Sequence, residues 1–265
     1  MDLELEGKRA IVTGGSRGIG LAIGRALAAE GCDVALVARE ARALEASRAA
    51  VAAESGRPVI GVSADTGDEE SVRAMVRAVV AGLGGVDILV NAAARPNTGA
   101  VVGIDAFDEP EFSEQVNVKV LGYLRCIREV VPLMRASGWG RIVNVSGLAA
   151  RSSGSITGTV RNAAVSALTK NLADELGRDG INVTVVHPGV TVTEKTPEIL
   201  AGRAERAGVS VAEAERRLGA SVSIGRLVTA SEVASVVAFL ASPRSVAING
   251  DAIVVSGGAV GPIYY

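Results

Sequence analysis

Aromatic side chains are scarce in this chain: three Phe, three Tyr and one Trp make up only 3% of 265 residues. No stacking platform is available, so ring content points to no substrate. Cysteine is equally rare. Cys32 and Cys126 lie far apart in apolar surroundings, a setting that predicts buried thiols in a reducing compartment rather than a disulfide or a metal site. The sole histidine, His187, has no neighbouring Cys pair and therefore offers no zinc-type constellation. Charge of one sign is also lacking. A net charge of -2 from dispersed Lys, Arg, Asp and Glu leaves no basic face for nucleic acid. Long apolar runs are missing as well: windows such as Val233 to Ala241 fall short of the ~20 residues that span a bilayer, so no membrane partner is expected. The acidic start, Met1 to Glu6, has neither the basic nor the apolar region of a signal peptide, and a soluble cytoplasmic protein is the expectation.

What is plentiful is glycine, at 32 residues, and apolar residues, at 48%. Short β-branched runs recur at Ala10–Val12, Val34–Val37, Val59–Val62, Val86–Val90, Arg141–Val145, Ile181–Val186 and Ala252–Val255. These runs are apolar on both faces, as strands covered on both sides are. Helical patterns lie between them at 18–30, 40–54, 68–82, 110–136, 158–177 and 231–241, with Asp68 and Ser231 as N-caps. This alternation predicts one α/β domain over 1–265, a doubly wound parallel sheet of about seven strands with helices on both faces and ligands at its C-terminal edge. The rhythm breaks only at 191–220, a charged helical insertion. It reads equally as a cover over the substrate or as a solvated hairpin.

The first strand runs into Thr13-Gly14-Gly15-Ser16-Arg17-Gly18-Ile19-Gly20 and then a helix. Glycines allow the turn and the close approach of a diphosphate, which the helix N-terminus attracts through its free N–H groups. A bound nucleotide follows from that order of elements.

Further motifs appear in sequence: Asp65, Asp87-Ile88-Leu89-Val90-Asn91-Ala92-Ala93-Ala94, Asn117, Asn144-Val145-Ser146, Pro188-Gly189 with Thr193, and Ile224-Gly225-Arg226-Leu227 before Ser256-Gly257-Gly258. Together they resemble the classical short-chain dehydrogenase/reductase family along nearly the whole chain. The resemblance implies a Rossmann-like fold in which Gly14, Ser16, Arg17, Gly18, Ile19 and Gly20 surround the diphosphate and adenosine ribose. Asp65 would take the adenine amine, Asn91 would stand beside the adenosine side, and Thr193, after Pro188 and Gly189, would meet the nicotinamide carboxamide. Past the second strand, where a carboxylate would grip a ribose 2'-hydroxyl, the chain has Ala38-Arg39. With Arg17, Arg39 favours the 2'-phosphate of NADP(H) over NAD(H).

The family's proton chemistry uses Asn, Ser, Tyr and Lys, the last two spaced Tyr-x-x-x-Lys on one helical face. Here the register set by Ala163 to Lys170 puts Gly158 at the tyrosine position and Asn162 at the lysine position. A one-residue shift would offer Thr157 and Arg161 but rotate the apolar face away, and Lys170 lies ~12 Å further along the helix. Asn117 matches its family position, and Ser146 is either the reactive serine or only the structural one before it. Tyr123 reads as core or interface, Tyr264 and Tyr265 as a frayed tail or an arm reaching a partner, and His187 as strand-end packing or an acid. Two functions follow: an NADP(H)-dependent oxidoreductase with a non-standard proton donor, or an inactive relative serving as sensor, scaffold or partner subunit. Helices 110–136 and 158–177 resemble those that pair subunits in the family, so a homo-oligomer, tetramer or dimer, is expected, binding a small-molecule substrate.

Overall fold

A computed structural model describes residues 1–95 and 104–260. Seven strands form one parallel sheet: β1 (Arg9–Thr13), β2 (Asp33–Ala38), β3 (Val59–Ser63), β4 (Ile88–Asn91), β5 (Gly140–Val145), β6 (Ile181–Pro188) and a last strand, Ala252–Val255. Their spatial order is β3-β2-β1-β4-β5-β6 and then that last strand. The order reverses between β1 and β4. At such a switch point the loops after neighbouring strands diverge, and a crevice opens at the strands' C-terminal ends.

Alternate residues of each strand feed opposite cores. Ala10 and Val12 join Ile23, Leu27, Val34 and Leu36 in one cluster. Ile11 joins Ala35, Val37, Leu89 and Ile142 in the other. The first core is covered by α1 (Gly18–Ala29), α2 (Ala41–Ser55) and the helix Ala230–Leu240, the second by α3 (Glu69–Leu83) and α5 (Gly122–Ser137). Cys32 and Cys126 are free, one buried in each core, as their apolar surroundings predict.

Asp68 caps α3 by accepting a hydrogen bond from the Ser71 amide. Ser231 does not cap its helix. Thr229 does, in a reciprocal capping box with Glu232. The sequence pattern at 110–136 also resolves differently, into α4 (Glu109–Val116), a π-helical turn at Asn117–Leu121, and α5. One residue more per turn rotates the side chains beyond it, and such turns are frequent at functional sites. Helix α6 spans Ile156–Leu176 and is capped by Ser155. After β6 comes β7 (Thr191–Val192), paired with β8 (Val228–Thr229), and between them lie α7 (Thr196–Ala207) and α8 (Val211–Ala220). The helix Ala230–Leu240 is α9, and the last strand is β9. The insertion at 191–220 is thus a short strand followed by a helical hairpin. Among the described residues, no helix is long and apolar enough to cross a membrane.

Candidate active site

A cleft of about 840 Å³ opens over the switch point. Its floor begins with the glycine turn after β1. Gly14 has φ +69°, and a Cβ there would stand 2.8 Å from the Ala92 carbonyl oxygen; at Gly20 it would stand 2.2 Å from that of Gly14. Neither position tolerates a side chain, so bare backbone faces the cleft. Arg17 precedes α1 without capping it through its side chain, and Gly18 donates its amide to Glu194 Oε2 at 3.2 Å. The Ser47 hydroxyl pins the loop by donating to the Ser16 carbonyl. Thr13 ties the turn to the neighbouring strand, its Oγ1 accepting from the amides of Ala92 and Ala93.

Gly14, Ser16, Arg17, Gly18, Ile19, Gly20, Arg39, Asp65, Ser146 and Thr193 line this one cleft. Arg39 and Asp65, exposed after β2 and β3, approach to 3.9 Å, and Asp65 Oδ1 accepts from the Gly67 amide. Glu40 lies beside Arg39 on the wall. Asn91, Pro188 and Gly189 stand behind the lining. Asn91 is fully buried and donates to Asn144 Oδ1, which belongs to a residue that donates in turn to Thr169. Gly189 donates to the Val255 carbonyl.

The expectation for Asn117 is not met. Its amide nitrogen donates to the Gly67 carbonyl, its Oδ1 accepts from Arg125, and it is not among the lining residues. The π turn instead presents residue 119. Lys119 is 4% exposed and lines the cleft, with Nζ donating to Asn162 Oδ1 at 2.8 Å and to the Ser146 carbonyl at 3.1 Å. Ser146 Oγ donates to the Asn162 carbonyl. Gly158 and Asn162, which the sequence resemblance would put at the family's Tyr and Lys positions, carry neither phenol nor ammonium, yet an ammonium touches Asn162 from the neighbouring helix. Burial, then repulsion from Arg161, pushes the Lys119 amine down to about 7.

Arg161 is the second cation of this end. It is 6% exposed and lines the cleft, donating through Nη1 to Gln115 Oε1 and to the Arg95 carbonyl. Tyr123 is fully buried, its hydroxyl donating to the Val145 carbonyl, and burial raises its pKa. It is a core residue. His187 is buried between the Gly147 amide, which donates to Nδ1, and the Ser166 hydroxyl; desolvation lowers its pKa to about 4, so the ring is neutral. Thr159 donates its hydroxyl to the Ser152 carbonyl. Tyr264 and Tyr265 lie outside the described residues.

Sequence comparison decides the lineage. A family model described as enoyl-(acyl carrier protein) reductase matches residues 14–260. The chain belongs to the short-chain dehydrogenase/reductase family. Among the relatives of this dehydrogenase/reductase, the short-chain reductase protein NovJ of Streptomyces niveus is 34% identical over 94% of the chain and 92% of its own length. A ketoacyl reductase named as putative in Streptomyces coelicolor is 36% identical, over 94% and 95%. L-sorbose reductase of Gluconobacter frateurii, crystallised with NADPH and L-sorbose, superposes with a TM-score of 0.92 at 30% identity, covering 99% of this chain and 100% of that one.

Sequence reasoning missed Lys119 and set Arg161 aside. The one signal for Lys119 was a charge inside the apolar run Val118 to Leu121, and only the π turn explains which way it faces.

Proposed function

We propose that this chain is an NADP(H)-dependent oxidoreductase interconverting a carbonyl and an alcohol, with Lys119 as the proton donor in place of the family tyrosine. One observation carries the reading: a single cleft joins the glycine turn, Arg17, Arg39 and Thr193 to a buried ammonium. The donor set suits the cofactor. Gly14 and Gly20 leave the backbone that a diphosphate needs, and the N-terminus of α1, which the Arg17 side chain does not cap, would attract its charge. Arg17 and Arg39 would hold the 2'-phosphate, Asp65 the adenine amine and Thr193 the carboxamide, with Asn91, Pro188 and Gly189 supporting the wall. The NADPH bound by L-sorbose reductase favours the same choice here.

When bound, NADPH supplies a hydride to the carbonyl carbon. Lys119 would release a proton from Nζ to the carbonyl oxygen as charge develops there, leaving a neutral amine that burial favours. Water entering through the cleft would return the proton. The Ser146 carbonyl and Asn162 Oδ1 fix where Nζ points. An amine titrating near 7 holds both forms at neutral pH, as general acid and base work requires. The α7–α8 hairpin, whose approach supplies Thr193, Glu194, Lys195 and Ile199 to the wall, would act as the cover. A homo-oligomer built on α5 and α6 completes the reading, since both expose apolar residues.

Calorimetry with NADPH and NADH, followed by cofactor oxidation over a carbonyl panel, tests the reading. The expected outcome is tighter NADPH binding and turnover that falls about 10²–10⁴-fold in Lys119→Met. Binding without turnover on any carbonyl would favour the inactive-relative reading instead.

A further inference from the structure

Among the described residues, two other inward-facing cations are well supplied with acceptors, the half-buried Arg9 and the buried Arg141. Arg9 donates through Nε and Nη2 to both oxygens of Asp87. Arg141 donates to the carbonyls of Ser242, Gly140 and Gly180 and lies 4.7 Å over the Trp139 ring. Lys119 and Arg161 differ. Like Arg141, neither forms an ion pair with a carboxylate among the described residues, but here the Nε of Arg161 is also buried with no acceptor, and Lys119 has only two neutral acceptors. Burying a charge is costly unless an opposite charge or a full set of hydrogen bonds offsets it. Two such charges face the same end of the same cleft.

The nearest carboxylates among the described residues are engaged elsewhere and none reaches Arg161 or Lys119 as an ion pair. Arg95 holds Glu114 at 3.0 Å and Glu111 at 3.8 Å; Glu111 acts on Arg161 through space and through Gln115 but forms no direct ion pair with it. The carboxylates on the cleft wall lie elsewhere: Glu40 and Asp65 follow β2 and β3, and Glu194 sits against Gly18. Ala92, Ala93, Val118 and Val145 also line the cleft and have no acceptor side chains. Nη1 of Arg161 is occupied while its Nε, buried, has no acceptor, and the planar fork of a guanidinium matches the two oxygens of a carboxylate.

We infer that the substrate is a carbonyl compound bearing a carboxylate, whose anionic group pairs with Arg161 while its reacting oxygen lies beside Lys119. The inference rests on reading the cleft as a reductase site. A carboxylate there would answer the Arg161 charge, while the reacting oxygen would accept from Lys119. Desolvation, which lowers the pKa of each cation, is the burden that such a ligand relieves.

Oxamate and oxamide, alike in size and shape but differing in charge, test this by calorimetry on the whole protein, with and without saturating NADP+. Oxamate is expected to bind at least about tenfold more tightly than oxamide when NADP+ fills the glycine cradle, and Arg161→Gln to abolish that preference. NADP+ affinity should stay within about twofold in the variant, since Arg161 lies away from the cradle. Equal affinities for the two probes in the unaltered protein would overturn the inference, and that comparison does not depend on the variant folding. A preference that survives in Arg161→Gln would also overturn it. Absence of NADP+ binding would instead refute the reductase reading; the oxamate preference measured without NADP+ then still decides the carboxylate site.

Discussion

Lys119 shows how one residue's surroundings set its chemistry. An ammonium removed from water loses hydration that two neutral acceptors, Asn162 and the Ser146 carbonyl, replace only in part. Its folded pKa, about 7, is below the ordinary 10.5, so between these values the unfolded chain binds a proton that the folded chain does not. The cost of burying the charge is therefore complete below pH 7 and fades as pH rises to 10.5. Lys119→Met removes this pH dependence. The Tm of the variant relative to the native protein should fall as pH rises through that window, and a constant difference would mean an unperturbed lysine. His187 gives the opposite test at acid pH. Its folded pKa, about 4, lies below 6.5, so the stability that its neutral form contributes is lost as pH falls from 6.5 toward 4. Thermal melts of His187→Gln across that range should show a flatter acid limb than the native protein.

At the scale of elements, the α7–α8 hairpin and the glycine turn meet through one carboxylate. Glu194 occupies the first amide of α1, at the positive end of a helix whose Arg17 cap leaves that amide open. A diphosphate would need the same N–H group, so the two anions compete. Glu194→Gln should tighten NADPH binding by about 2–5-fold, the scale of one charge at a helix terminus. Fluorescence titration reads this directly, and unchanged affinity would show that the contact does not oppose the cofactor. The capping box before α9 is a separate element-scale device, and Thr229→Ala should lower stability by about 1 kcal/mol in denaturant melts.

For the whole molecule, the fold was legible because its strands are apolar on both faces. Val34 to Val37 and Ile181 to Val186 have no alternative but the middle of two cores. The glycine turn was legible for a related reason, since Gly14 and Gly20 answer to steric limits that any substitution would violate. The end of the cleft that holds Lys119 was not. Nothing in Asn117-Val118-Lys119-Val120-Leu121 departs from an ordinary helical pattern, and a π turn arises from packing rather than from local propensity. Asn117, matched by residue type, consequently points toward Gly67 while Lys119 takes the cleft. The same helices raise the question of assembly. Leu121 at the end of the π turn, Leu124 at the start of α5, and Ile156 and Val160 at the start of α6 are 37–48% exposed, apolar side chains that flank the candidate site. Leaving them in water forfeits burial that a second copy of the chain would supply, and in a symmetric pair each residue is buried twice. Light scattering should therefore give a mass that is a multiple of 26.8 kDa, and Leu124→Glu with Val160→Glu should shift it to the single-chain value. If the unaltered protein already scatters at 26.8 kDa, assembly through α5 and α6 is wrong, and the apolar starts of both helices need another explanation.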